Sequence, residues 1–181
     1  MINVIFLIIC FLVDALLGII FKNDFALRSF TFIPSGFFLS FMLVVKEKNL
    51  FETIIFTFLC GMFMDLIHGD HFLLYALLCL LCGIIYHLWA KHLSESIFEQ
   101  ILILEVILFV KEILLFMYFS ISKLIDLSFV NFIESRLFIT LLGNIIVILV
   151  LIFANHIRKY LNYDLERKKR RNEDLFGTQF K

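Results

Sequence analysis

Six apolar stretches, each close to the length that crosses a bilayer, take up most of this chain: residues 2–21, 30–45, 50–67, 72–89, 97–119 and 137–154. A spanning helix needs roughly 17–25 mostly apolar residues, because the hydrocarbon core is about 30 Å thick. Water does not reach that core, so backbone polar groups must be bonded internally and runs of this length predict helices. The hydrophobic share of 62% and the mean hydropathy of +1.00 exceed what a soluble chain of 181 residues buries, so lipid must cover the excess. The expected fold is an all-α integral membrane protein. A bundle of about six transmembrane helices fills residues 1–155, and a basic cytoplasmic tail follows over 156–181.

The first stretch lacks the basic n-region and small-residue cleavage site of a secretory signal, and Asp14 interrupts it, so it reads as a retained helix. The second is short, about 24 Å by helical rise. It contains Pro34, Ser35 and Gly36, so its outer end is expected to be irregular or to begin at the proline. Only residues 68–71 separate the third and fourth stretches, which predicts a tight antiparallel hairpin. Residues 120–136 leave room for a short interfacial segment.

Lysine and arginine in the loops set orientation. Arg158, Lys159, Arg167, Lys168, Lys169, Arg170, Arg171 and Lys181 follow the sixth stretch. With an even number of spans, Lys46, Lys48 and Lys91 join them, giving eleven basic residues against four on the other face (Lys22, Arg28, Lys123 and Arg136). Both termini are therefore expected in the cytoplasm. The tail reads first as a segment drawn to anionic lipid and second as a partner site.

A carboxylate or ammonium at the centre of a spanning helix costs about 2.5–3.5 kcal/mol on insertion scales. Asp14, Glu105, Lys111 and Glu112 therefore need partners or a wet interior. In the orientation above, Asp14, Asp65, Lys111 and Glu112 fall in the outer half of the membrane and Glu105 nearer the inner side. Glu105 and Glu112, seven apart, share a helix face, with Lys111 about 100° away. One reading is an internal cluster in which Lys111 pairs with Asp14 or Asp65 and fixes helix packing. The other is a marginal fifth span whose charges snorkel to the surfaces. Ion transport is a third, but transport folds break helices in both halves, and only the Pro34 region resembles a break.

Cys10, Cys60, Cys79 and Cys82 all lie in apolar stretches. Cys79 and Cys82 have C-x-x-C spacing, yet they sit among leucines with no second ligand pair, so packing is the simpler reading. Asp65, His68, Asp70 and His71 can be drawn as a metal site, but a polar turn between two helices accounts for them. No cofactor is expected. No nucleophile–base set, phosphate loop or nucleic-acid motif emerges, and the chain is not expected to be an enzyme.

Gly61, Asp65 and Gly69 recur at intervals of four across the end of the third stretch, followed by Ala76 and Leu77. Small residues at this spacing let helix backbones approach closely. Pro34 opens the second span, Lys46 and Lys48 precede the third, Arg136 leads into the sixth, and Arg158 and Lys159 close it. Over essentially its whole length the chain resembles the rod shape-determining MreD family of small bacterial membrane proteins. It departs from that pattern at four places. Leu73 stands where a glycine is usual and Tyr75 where a histidine is. His71 replaces a proline, and Ser35 replaces an acid that often follows the second-span proline.

The resemblance implies a subunit of the cell-elongation machinery in the bacterial inner membrane. It would bind an MreC-like scaffold and, through it, MreB, RodA and a class B penicillin-binding transpeptidase. The alternative is a substrate-binding subunit of an energy-coupling-factor transporter for a vitamin or metal, since the MreD fold is similar to theirs. Such a subunit should carry a small-residue face on its first helix, and no Ala-x-x-x-Ala element is evident there. Asp65 sets a physical puzzle in either case. An acid at a helix C-terminus is unfavourable by the helix dipole, so the amides of the fourth helix or a cation such as Lys111 or Arg136 should compensate it.

Overall fold

The computed structural model describes residues 2–21, 32–68, 73–90, 96–125 and 128–177, with side chains described through residue 171 and that of His68 excepted. Among these residues there is helix and no strand. The elements are α1 (Ile2–Ile20), α2 (Gly36–Val45), α3 (Leu50–His68), α4 (Leu74–Ala90), α5 (Ile97–Ile121), α6 (Phe129–Phe132) and α7 (Phe138–Gly177). A π-helical turn, Ile133–Leu137, joins α6 to α7 without a break. Among the described residues three segments are long and apolar enough to cross a membrane: Ile2–Ile20, Leu50–Ile67 and Phe129–Arg171. The remaining helices are shorter or, like α5, carry several charges in mid-length.

The second span has the irregular outer end expected of it, and its helix starts only after Pro34. Helix runs only over Gly36–Val45, about 15 Å or half the hydrocarbon core. Phe32–Ser35 carry no regular structure. The cause is Pro34, which has no N–H to give and steers the residue before it away from helical geometry. All ten residues of α2 are buried, and it packs against α1, α3, α4, α5 and α7. Its hydrophobicity thus builds the protein core rather than a lipid-facing surface. By contrast, only Phe6 and Cys10 of α1 are buried.

The sixth element differs from expectation. An apolar span over 137–154 followed by a separate tail is replaced by one helix that passes straight into the basic segment. At 40 residues α7 is about 60 Å long, twice the depth of a hydrocarbon core. Ahead of it, between the fifth and sixth stretches, lies the short helix α6, capped by the Ser128 hydroxyl accepting from the Asn131 N–H. The Phe132 ring stacks on Phe116 with centroids 4.4 Å apart, fastening α6 to α5.

α3 and α4 form the hairpin expected of them and make the most extensive helix–helix contact among the described residues. Large apolar side chains such as Ile19, Leu66, Ile146 and Phe153 point outward around the bundle. Exposed apolar surface on this scale is costly in water and suited to lipid.

Candidate functional site

Two helices begin inside the bundle, and in both a carboxylate from a neighbouring helix caps the start. A helix leaves its first N–H groups without intrahelical acceptors, and the cap usually comes from the residue just before it. At α4 that residue is Leu73, which has no polar atom to offer. Asp65 on α3 supplies the cap instead, accepting from the Tyr75 N–H at 2.8 Å and the Ala76 N–H at 2.9 Å. Of the compensations open to Asp65, the amides are the one realised. Neither Lys111 nor Arg136 serves it, because Glu112 holds both. Leu73 itself is left at φ 63°, a left-handed conformation that glycine adopts freely and leucine does not.

Gly61 lies one turn before Asp65 on the same face of α3. A Cβ built there would lie 2.5 Å from the Ala76 Cα and 2.6 Å from the Tyr75 carbonyl oxygen. The absent side chain is what lets α3 sit close enough for Asp65 to reach the α4 amides. Gly69, the third residue of the spacing, lies outside the described residues, as do Asp70 and His71.

At α2, Asp14 on α1 accepts from the Gly36 N–H at 2.8 Å and the Phe37 N–H at 2.6 Å. The anticipated Lys111–Asp14 pair does not form; Asp14 caps a helix. The irregular backbone before α2 is satisfied by Asn144 of α7. Its Oδ1 accepts from the Ser35 N–H at 3.1 Å, while its Nδ2 donates to the Ile33 carbonyl at 2.9 Å and to its own helix at Thr140. Buried non-helical backbone needs its polar groups satisfied by other parts of the protein, and Asn144 does so here. Asn144 was not singled out from the sequence, although a lone amide in the otherwise apolar 137–154 stretch is a usable signal.

Beside this junction lies a buried charge cluster. Lys111 Nζ is 3.1 Å from Glu112 Oε1 and donates to the Ser35 hydroxyl at 2.8 Å, with the Phe38 ring centroid at 5.0 Å. Arg136, in the π-helical turn, donates through Nε and Nη2 to Glu112 Oε2 at 3.3 Å. The three residues are 5%, 1% and 3% exposed. Although adjacent residues on a helix diverge by about 100°, the long lysine stem closes that angle and the charges meet inside rather than at the surfaces. Glu105, two turns earlier on α5, takes no part in the cluster. It is half-buried, and its Oε1 has no hydrogen-bond partner among the described residues.

A cavity of about 250 Å³ opens between α1 and this cluster, with Asp14, Ser35, Lys111, Glu112 and Arg136 contributing to its wall and Gly18 and Phe21 also lining it. A second cavity of about 260 Å³ runs between α1 and α3, with an apolar lining that includes Leu7, Leu59 and Phe63.

The basic segment after the sixth stretch divides in two. Arg158 is only 2% exposed and is not part of a solvated tail. It donates to Asn155 Oδ1 at 2.8 Å, Asn3 Oδ1 at 2.9 Å and Glu47 Oε1 at 2.5 Å, and lies over the Phe6 ring. It thereby ties α7 to the start of α1 and the α2–α3 loop. Lys159 reaches Glu47 from the surface at 3.5 Å. Arg167, Lys168, Lys169, Arg170 and Arg171 are exposed on the helix, with Lys168 paired to Asp164 at 2.7 Å.

The four cysteines are free thiols and buried. Among the described residues no group of three or more His, Cys, Asp or Glu side chains comes together in a way that could hold a metal ion. Compared with known proteins, the chain matches no family model, no curated protein and no solved structure.

Proposed function

We propose that this chain is a non-enzymatic membrane subunit of the bacterial cell-elongation machinery, working as MreD proteins do. In this reading it binds an MreC-like scaffold and, through that scaffold, MreB, RodA and a class B penicillin-binding transpeptidase. The observation that carries the proposal is the α3–α4 hairpin, where the motif residues Gly61 and Asp65 act on one object. Gly61 permits the close approach and Asp65 locks it, which gives the hairpin a fixed outer surface suited to holding a partner helix.

The wider architecture in this proposal is a six-span bundle similar to the substrate-binding subunits of energy-coupling-factor transporters. It sits in the inner membrane with both termini in the cytoplasm. A single cysteine introduced at Gly177 in a cysteine-free background then resists labelling from outside intact cells, while one at Asp70 is labelled. Pull-down in mild detergent recovers a partner with one span, a coiled coil and a β-rich extracytoplasmic domain.

The cavity bordered by Asp14, Lys111 and Arg136 favours a second reading, the transporter subunit, because such a protein needs a pocket for its solute. Two features weigh against it. Both oxygens of Asp14 are occupied by backbone amides, and α1 lacks an Ala-x-x-x-Ala face. Recovery of an ATPase-linked coupling subunit in the pull-down, with vitamin or metal uptake lost on deletion, would decide for the transporter.

A further inference from the structure

Among the described residues, the carboxylates set within the bundle are compensated except at Glu105. Asp14 and Asp65 each accept from two backbone amides, and Glu112 faces Lys111 and Arg136. Glu105 has no such support. Its Oε1 is shielded from the surroundings, and no hydrogen bond or ion pair reaches the side chain among the described residues. α5 is 25 residues or about 37 Å long, and Glu105 lies four residues from its middle, about 6 Å along the axis. Where such a helix crosses a core about 30 Å thick, that carboxyl is well inside. Ionisable groups at such depth are costly, and they pair with another group or serve a function.

Phe98, Leu102, Glu105, Phe109, Glu112 and Phe116 follow one another at alternating steps of four and three, so they form one stripe along α5. This spacing makes a seam along which one helix receives another. Toward the end of α5 the seam is filled from within the chain. The Phe132 ring of α6 stacks on Phe116, and Arg136 of the π-helical turn donates to Glu112 at 3.3 Å. Toward the start it is bare. Phe98, Leu102 and Phe109 are between 43% and 72% exposed, and Glu105, two turns from Glu112, is only half-buried. The buried side chains at this level, Ile103, Leu104, Ile107 and Leu108, lie off the seam.

We propose that the bare half of this seam seats a membrane-spanning helix of another protein, one that carries a lysine or arginine at the depth of Glu105. The two halves of the seam then repeat one arrangement, a helix packed on α5 with its cation on a glutamate. A cation on the open side of Glu105 compensates the carboxylate as a whole, including the covered oxygen. Lipid chains match Phe98 and Leu102 but leave the carboxylate uncompensated. A second copy of this chain brings no suitable group, because Lys111 and Arg136 are buried against Glu112. Seam against seam would also set carboxylate near carboxylate. The face belongs to α5 and is distinct from the α3–α4 hairpin surface assigned above. It does not rest on the cell-elongation reading: the partner's identity tests that reading, and dependence on Glu105 tests this one.

The test places the photo-crosslinking residue p-benzoylphenylalanine at Leu102 or Phe109 of the full chain in its native membrane, both positions being exposed. Irradiation should give a protein adduct that maps to a spanning segment with lysine or arginine near its middle. Glu105→Gln keeps the shape without the charge and should lower the adduct yield about tenfold. Changing the partner's cation to glutamate should do the same, and combining that change with Glu105→Lys should restore the yield. Glu105→Leu loses no hydrogen bond or ion pair seen within the chain, so the purified variant should unfold at the parent's temperature or above it. Adducts to lipid alone, adducts to a second copy, a crosslinked span without a cation, or a yield unchanged by Glu105→Gln each overturn the proposal. So does a lowered unfolding midpoint for Glu105→Leu, which would give the carboxylate its role inside the chain.

Discussion

Gly61 and Ala76 stand backbone to backbone, so close that a Cβ on Gly61 would lie 2.5 Å from the Ala76 Cα. Neither atom belongs to a movable side chain end, so Gly61→Ala must push α3 and α4 apart and stretch both Asp65 hydrogen bonds. Overpacking of this kind costs about 1–3 kcal/mol. Gly18→Ala, with nothing within 4 Å of the added atom, should be neutral or slightly stabilising by helix propensity. Thermal unfolding of the two variants in the same detergent makes the comparison.

Leu73 offers the opposite case. Its φ of 63° is the left-handed region, and the resembling family carries glycine at this position. Leu73→Gly should relieve about 1 kcal/mol of backbone strain and raise the unfolding midpoint. A lowered midpoint would mean that packing of the leucine side chain outweighs its backbone cost.

The charge cluster should fail asymmetrically. Glu112→Gln removes the buried carboxylate that Lys111 and Arg136 share and should destabilise by about 3–5 kcal/mol. Replacing all three together, as Lys111→Met, Glu112→Leu and Arg136→Met, removes every charge of the cluster and should cost far less than the single change. A triple variant as unstable as Glu112→Gln would show that the cluster contributes beyond mutual neutralisation.

Arg158 and Arg170 look alike in the sequence and should behave differently. Arg158→Ala removes charge-assisted hydrogen bonds to Asn3 and Glu47 and should cost about 2 kcal/mol. Arg170→Ala, on the exposed helix surface, should leave stability unchanged within about 0.5 kcal/mol. Unfolding midpoints that coincide would return Arg158 to the solvated tail.

What could be read from the sequence follows from what each residue faces. α1 and α3 were legible because an apolar run long enough to span a bilayer must satisfy its backbone internally, which makes it a helix. The late start of α2 was legible from Pro34, but its complete burial was not, since a run buried in protein and a run facing lipid have the same composition. The need to compensate Asp65 was legible from the helix dipole, and the α4 amides were among the stated options. Glu112's partners were not, because Arg136 lies 24 positions away on a separate helix and Lys111 points off its face until its stem bends back. Arg158 was hidden by its neighbours: inside a basic cluster, one buried arginine carries no local mark.

The account rests most on Asp65 as the lock of the α3–α4 hairpin, and cell shape with partner recovery measures it most directly. In cells depleted of the parent protein, Asp65→Asn keeps one acceptor oxygen for the α4 amides and should largely support rod shape and partner recovery. Asp65→Leu leaves both the Tyr75 and Ala76 N–H groups without their cap and should lose the partner, or fail to accumulate, with rounded cells. If Asp65→Leu accumulates, recovers the scaffold partner and maintains rod shape like the parent, the hairpin lock is not what the function requires and the central claim fails.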